Sequence, residues 1–145
     1  MRLLVDGSNL LGAMRLDRES AEAKRELLRL LASWARRRKA KVTCFFDGYR
    51  PASFAATLGA VVARFSHPRA ADDAIIEEVE KLARESFHIV TSDAALAARC
   101  RGRRVEIIDA RRFAEELTQA EGEGEEKAGG ADWESYFSDP KNRNI

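Results

Sequence analysis

The sequence predicts an α/β fold, a three-layer sandwich in which helices cover both faces of a central, mainly parallel sheet of about five strands. The first observation behind this prediction is that short apolar runs alternate with longer segments of helical periodicity. Strands buried on both faces and joined through helices are typical of parallel sheets. The second is composition: of 145 residues, 45% are hydrophobic and 34% charged, as in a soluble domain with its own core.

Each element has its own pattern along the chain. Five runs rich in β-forming residues predict strands at Arg2–Val5, Lys41–Phe46, Ala60–Phe65, Phe87–Thr91 and Val105–Ile108. Four segments with apolar residues at helical spacing predict helices at Ser20–Lys39, Ala71–Glu85, Ala94–Arg101 and Ala110–Leu117. The stretch from Pro51 to Leu58 carries a weaker helical signal.

The end of the chain differs in composition from the body. Residues 119–132 are rich in Gly and Glu and have almost no apolar side chains, which predicts a flexible acidic linker. The tail at 133–145 holds Trp133, Tyr136 and Phe137, and we expect it to pack on the body or to dock on a partner. The folded domain is therefore predicted to span residues 1–118.

Charge is unevenly divided between the body and the end of the chain. The chain has 25 basic and 24 acidic residues, but the last 27 residues hold three bases and seven acids, which leaves 22 bases and 17 acids in residues 1–118. A mildly basic body is compatible with nucleic acid binding without requiring it. Cys44 lies in an apolar run, so we expect no disulfide framework and a reducing cytoplasm. No apolar stretch reaches transmembrane length, so no membrane association is expected.

Aspartates follow three of the predicted strands. Asp6, Asp47 and Asp93 stand at or just beyond strand ends. Ligands of parallel α/β sheets bind beyond the carboxyl ends of the strands, and neighbouring strands lie roughly 4.8 Å apart. These three carboxylates are therefore expected to converge on one small volume.

A fourth acidic position begins the predicted helix in AADDAIIEEVEKLA. At helical spacing Asp72 shares a stripe with Ile76, Val79 and Ala83, which should face the sheet, while Asp73 points to one side. Asp72 is therefore expected to point toward the strand ends.

Several carboxylates brought together must be neutralised by protons or by a cation. Oxygen ligands suit Mg²⁺ or Mn²⁺, and such an ion can activate water against a phosphodiester. The competing interpretation is structural, since Asp72, Asp73 and Asp93 could cap or charge-stabilise helix starts. Asp109 is better explained as such a cap than as a ligand. The joint pattern of three strand ends and a helix start favours the metal site.

Four motifs in order, VDGSNLLG, FFDG, AADDAII and VTSDAAL, resemble the YacP-type NYN branch of the PIN-like nuclease superfamily over about residues 1–118. The resemblance implies a Rossmann-like fold and an Mg²⁺- or Mn²⁺-dependent endoribonuclease, which in some relatives cuts mRNA on the ribosome. Position 8 is Ser where many relatives have an aromatic residue, so a base-stacking contact is not expected there.

The resemblance also assigns roles to residues of the matching motifs. The implied catalytic acids are Asp6, Asp72, Asp73 and Asp93. The implied metal ligands are Asp6, Asp72 and Asp93. The implied auxiliary residues are Asn9, Asp47 and Ser92.

Basic residues form two clusters that could contact RNA or could simply be solvated. One precedes the last strand and comprises Arg99, Arg101, Arg103 and Arg104. The other ends the first long helix and comprises Arg36, Arg37, Arg38, Lys39 and Lys41, where cations also stabilise the helix terminus. His67, before the acidic helix, is a loop residue that could approach a leaving group.

The sequence thus predicts a metal-dependent endoribonuclease acting on single-stranded RNA, with mRNA as the expected substrate and the ribosome as a candidate partner. One alternative is a non-catalytic RNA- or ribosome-binding module with a nuclease fold, which the four acids disfavour because they would repel phosphate. A nuclease for structured DNA would need extra helical elements that 118 residues hardly accommodate.

Overall fold

The structure is a computed structural model that describes residues 1–82, 84–102 and 104–129, with the side chains of the last helix described to residue 119. The strands are β1 (Arg2–Asp6), β2 (Lys41–Phe46), β3 (Thr57–Leu58), β4 (Val61–Phe65), β5 (Phe87–Val90) and β6 (Val105–Ile108). The helices are α1 (Gly7–Ala13), α2 (Ala21–Arg38), α3 (Ala71–Lys81), α4 (Ala94–Arg99) and α5 (Ala110–Gly129).

The described strands form one sheet in the order β3-β4-β2-β1-β5-β6. All neighbouring pairs are parallel except β3 and β4. The predicted fold class, an α/β sandwich around a mainly parallel sheet, is confirmed. The strands β1, β2, β4, β5 and β6 end at the same edge of the sheet, called here the carboxyl edge; they begin at the opposite, amino edge.

Two buried clusters flank the sheet, because successive side chains of a strand point to opposite faces. Leu3 and Val5 belong to the cluster under α1, α2 and α5, whereas Leu4 belongs to the cluster under α3 and α4. On the first face, Trp34 of α2 meets Phe113 of α5 edge to face at a centroid distance of 5.0 Å. The central strands β1, β2 and β5 are therefore largely buried on both sides, as predicted, whereas Val62 of β4 and Ile107 of β6 are exposed.

Helix α2 follows the predicted pattern closely. The Ser20 hydroxyl accepts from the Ala23 amide at 3.1 Å and caps the first turn. Lys39 ends the helix in the left-handed conformation, with φ of 56°. The apolar residues at helical spacing that predicted this helix are buried: Leu27, Leu28, Leu30, Leu31, Trp34 and Ala35.

Two predictions about secondary structure are wrong. The stretch from Pro51 to Leu58 is not a helix: it ends in β3, which pairs antiparallel with β4. Gly59, with φ of 58°, supplies the left-handed turn that reverses the chain there. Helix α5 does not end at Leu117 but continues to Gly129, because the Ala, Glu, Gln and Lys residues that follow are good helix formers.

That longer helix enters the segment predicted as a linker. Residues 119–132 are helical up to Gly129. The aromatic tail at 133–145 lies outside the described residues, so its packing or docking stays a prediction, as does the domain boundary at residue 118. None of the described helices combines the length and the apolar character needed to cross a bilayer.

Candidate active site

Asp6 ends β1 at the carboxyl edge, between the ends of two neighbouring strands. The register places Asp6 opposite Phe45 of β2 and Val5 opposite Val90 of β5. Only 8% of Asp6 is exposed. One carboxylate oxygen, Oδ2, accepts from the Thr91 hydroxyl at 3.0 Å, and the other, Oδ1, accepts from the Asn9 amide at 3.3 Å. The carboxylate is therefore held in a fixed orientation at the centre of this edge.

The surroundings of Asp6 disfavour its charge. Burial is the main cause that raises the pKa of Asp6, the hydrogen bonds from Thr91 and Asn9 oppose the rise, and repulsion from Asp47 and Asp93 adds to it. Asp47 and Asp93 stand just past the ends of β2 and β5, on either side of Asp6. Asp47 and Asp93 are therefore near enough to Asp6 to repel its charge, although among the described residues the three side chains do not form one metal-binding group.

Both flanking aspartates also cap helices. Asp47 Oδ1 accepts from the Ala71 amide at 2.8 Å, and so caps α3, whose own first residues supply no side-chain cap. Asp93 Oδ1 accepts from the amides of Ala95 and Leu96 at 2.9 and 3.2 Å. The capping interpretation of Asp93 is therefore confirmed. As a cap of α4, Asp93 also lies near enough to Asp6 to repel its charge.

A second set of hydrogen bonds connects α1, the β5 end and α5. The Ser92 amide donates to Asn9 Oδ1 at 2.6 Å, and the Ser92 hydroxyl donates to Asp109 Oδ1 at 2.6 Å. Asp109 also accepts from the Arg112 amide at 3.3 Å, which confirms its prediction as a helix cap. The hydrogen bond from Ser92 is the main cause that lowers the pKa of Asp109. Asn9 and Ser92, the auxiliary residues of the sequence analysis, thus contact each other directly.

The first turn of α3 differs from the prediction. The residues of α3 that face the sheet are Ala71, Ala74, Ile75 and Val79. Asp72 is not on this stripe: its side chain is 36% exposed and that of Asp73 is 48% exposed. The predicted stripe through Asp72 and Ile76 was out of phase because Ile75 and Ile76 are both apolar, and periodicity alone did not distinguish them.

Arg99 of α4 neutralises this acidic pair. Its Nη1 lies 3.2 Å from Asp73 Oδ1 and 3.7 Å from Asp72 Oδ2. Arg99 belongs to the basic cluster predicted to contact RNA, and its side chain contacts the acids of α3. Arg104 lies at the amino edge, where its carbonyl accepts from the Phe87 amide at the start of β5. Arg101 lies in the turn after α4, and Arg103 is outside the described residues.

Sequence reasoning overlooked other exposed cations at the carboxyl edge. Arg50 follows the end of β2, and Arg111 and Arg112 open α5 directly after β6. Their position just past strand ends, the criterion applied to the aspartates, could have identified them. The basic run at the end of α2 precedes β2 and so lies at the amino edge.

The carboxylate oxygens at this edge are ligands of the kind that a hard divalent cation prefers, but the described residues do not form a complete metal site. Among residues 1–82, 84–102 and 104–119, no three His, Cys, Asp or Glu side chains form a group that could hold a metal ion. The predicted ligands Asp6, Asp72 and Asp93 are thus not gathered around one point. Mg²⁺ commonly uses only one or two carboxylates and completes its shell with water and substrate phosphate, a requirement that Asp6 and a neighbouring aspartate could meet.

Comparison with known proteins identifies the family to which this chain belongs. The family model described as YacP-like NYN domain matches residues 3–140. The crystal structure of Rae1 (YacP) from Bacillus subtilis is similar with a TM-score of 0.75 and 23% identity, over 99% of this chain and 88% of that chain. A tryptophan-to-leucine variant of Rae1 gives a TM-score of 0.68 and 24% identity, over 83% and 76%. No curated protein matches. At these identities the two structures show a shared fold, and the family match establishes that the chain belongs to the YacP-like NYN domains, a nuclease-fold family.

Proposed function

We propose that this protein is an endoribonuclease that uses Mg²⁺ or Mn²⁺ to cleave single-stranded RNA, with mRNA as its substrate and the ribosome as a candidate partner. The observation that carries the proposal is Asp6, a nearly buried carboxylate whose pKa is raised by burial and by two neighbouring acids. A carboxylate kept in such a place at the ligand-binding edge of a parallel sheet is typical of a functional group. Membership of a nuclease-fold family supports the same activity.

The side chains at the carboxyl edge would have different roles in the reaction. A bound cation would supply an activated water and neutralise charge on the phosphodiester. Asp6 and Asp93 would hold it, and the Thr91 hydroxyl keeps both in place because it donates to Asp6 and accepts from the Asp93 amide at 3.0 Å. The products would be a 5′-phosphate and a 3′-hydroxyl.

The remaining predicted residues would act around this centre. Asp72 and Asp73 would assist from α3, with Arg99 as their counter-ion. Asn9 and Ser92 would position the loops that carry Asp6 and Asp93. Asp47 would act as an auxiliary acid through its repulsion of Asp6.

A second candidate is an RNA- or ribosome-binding module that keeps the nuclease fold without cleaving. Two observations favour it: the described residues form no three-ligand metal group, and Arg99 already neutralises two of the predicted acids. A binding module would not require Asp6 to carry its charge.

The test compares the wild type with Asp6→Asn and with Glu26→Gln, a matched acid on the exposed face of α2. Each protein is incubated with end-labelled single-stranded RNA and with translating ribosomes carrying mRNA, in Mg²⁺, Mn²⁺ or EDTA. We expect cleavage by the wild type and Glu26→Gln, its loss in EDTA, and a loss of at least about 100-fold in Asp6→Asn. RNA left intact in every condition, with binding retained, would establish the binding module instead.

A further inference from the structure

Two aromatic rings stack on each other at the carboxyl edge, beside the acids. Tyr49 follows the end of β2 and His67 follows the end of β4. Their ring centroids lie 3.7 Å apart with an angle of 27° between the planes. Tyr49 is nevertheless 71% exposed, so the ring face away from His67 is open to solvent.

Backbone hydrogen bonds hold these rings in place. The Ser66 amide donates to the Phe46 carbonyl and the His67 amide donates to the Gly48 carbonyl, both at 3.0 Å. The pairing between β2 and β4 thus continues into the two loops. Gly48 adopts a φ of 91° with open space on its Cβ side, a conformation that suits glycine. The stacked pair is therefore presented by a defined backbone.

The position of the pair relates it to the acids. Asp47 precedes Tyr49 by two residues, a chain distance of at most about 7 Å. Arg50 follows Tyr49 directly and is exposed. An open aromatic ring flanked by a cation, beside acids that could hold a metal with phosphate, is the arrangement that binds unpaired nucleobases, since every base has a π-face.

We propose that Tyr49, backed by His67, is a stacking platform for an unpaired base of the RNA next to the scissile phosphate. The proposal rests on the proposed function for its substrate class. His67 acts through Tyr49, as a positioning residue that fixes the ring.

The first test measures binding of a short fluorescent single-stranded RNA in EDTA, so that no cleavage interferes. The proteins are the wild type, Tyr49→Ala, Tyr49→Phe, and Leu58→Ala as a control for removal of an exposed apolar side chain near the other end of β4. We expect binding to weaken by about 5- to 150-fold in Tyr49→Ala. Tyr49→Phe and Leu58→Ala should bind like the wild type, because the first keeps the ring and the second lies at the amino edge.

A second measurement separates stacking from a general structural effect. RNAs that each lack one base at a successive position are compared on the wild type and on Tyr49→Ala. One abasic position should weaken binding to the wild type and leave binding to Tyr49→Ala unchanged, since the base and the ring form one contact. Equal effects of every abasic position on both proteins would overturn the platform, as would wild-type affinity of Tyr49→Ala or no RNA binding by the wild type.

These outcomes are independent of cleavage. RNA cleavage by a wild type whose binding does not depend on Tyr49 would reject the platform and retain the nuclease. Binding that depends on Tyr49, without cleavage in any metal, would reject the nuclease and retain the platform.

Discussion

At the scale of single residues, Asp6 shows a conflict between burial and charge. Its carboxylate is nearly buried between two other acids, and burial raises its pKa. Two hydrogen bonds, from Thr91 and the Asn9 amide, compensate in part. A site that concentrates negative charge lowers stability in the absence of a cation, and such local costs are common where function requires them.

This conflict predicts how stability depends on pH. The pKa of Asp6 is higher in the folded than in the unfolded chain, so the folded protein binds the proton more readily. The contribution of Asp6 to stability is therefore fully present below the ordinary aspartate pKa of 3.8 and is lost as the pH rises above it. Asp6→Asn removes this pH-dependent penalty. In EDTA, the stability of Asp6→Asn relative to the wild type should therefore be greater at pH 7 than at pH 3. The difference in free energy of unfolding, variant minus wild type, should increase with pH.

Urea unfolding across this pH range measures the effect. The side-chain amide introduced in Asp6→Asn accepts fewer hydrogen bonds than the carboxylate, and this difference contributes an offset that does not depend on pH. The change of relative stability with pH is therefore the test. A relative stability that stays constant from pH 3 to pH 7, or falls with rising pH, would contradict a raised pKa for Asp6.

At the scale of elements, aspartates of the carboxyl edge cap the first turns of four described helices. The aspartates accept backbone amides of α1, α3, α4 and α5, and they are Asp6, Asp47, Asp93 and Asp109. Helix capping and a functional role are therefore not alternatives here. The same carboxylates fix where the helices start and bring negative charge to one edge, so a helix cap can keep a functional acid in position.

Two substitutions at Asp93 separate these roles. Asp93→Asn keeps an oxygen that can accept from the Ala95 and Leu96 amides, and Asn caps helices as well as Asp does. It should retain the wild-type stability and lose cleavage. Asp93→Ala should lose cleavage and also about 1 kcal/mol of stability, because the first turn of α4 loses its acceptor. Urea unfolding and RNA cleavage on both variants check this, and full activity of Asp93→Asn would exclude a role for its charge.

The elements also show what the sequence can and cannot predict. Strands β2 and β6 have the predicted bounds because their apolar, β-branched residues leave little ambiguity. Helix α1 was not predicted, since Gly7 and Asn9 are weak helix formers. Its start depends on a tertiary contact: a Cβ at Gly7 would lie 2.7 Å from the Phe45 carbonyl and the Phe46 ring. Such close packing cannot be read from periodicity.

The same limit applies to the candidate site. The aspartates at strand ends were predictable because topology alone brings the ends of neighbouring parallel strands together. The Arg99 contact with Asp72 and Asp73 was not, because it depends on the rotation of α3 about its axis. The Tyr49–His67 stack joins two loops 18 residues apart, and no local pattern signals it.

At the scale of the whole molecule, the mildly basic body presents cations at both edges of the sheet. Arg111 and Arg112 lie at the carboxyl edge with the candidate site, whereas Arg36 and Arg37 lie at the amino edge. Phosphate contacts release counterions, so each phosphate that the protein neutralises makes RNA affinity more sensitive to salt. The two edges can therefore be compared through salt dependence.

We expect Arg111→Ala/Arg112→Ala to flatten the plot of log affinity against log salt for single-stranded RNA by about 0.7 for each phosphate that the variant no longer neutralises. Arg36→Ala/Arg37→Ala is the matched control, because it removes the same charge from the opposite edge, and its slope should equal that of the wild type. Fluorescence anisotropy over a salt series gives both slopes. An equal change in both variants would mean that RNA does not follow the carboxyl edge.

The hydroxyl of Thr91 reaches Asp6 across 85 residues of chain, and the Ser92 amide reaches Asn9 across 83. During synthesis the acid is made first, and its partners arrive only after most of the domain has been translated. A growing chain that stops before β5 has the first aspartate but neither the hydroxyl that orients it nor Asp93 beside it. The candidate site thus assembles late, because a nascent or truncated chain that ends before β5 lacks Thr91, Ser92 and Asp93.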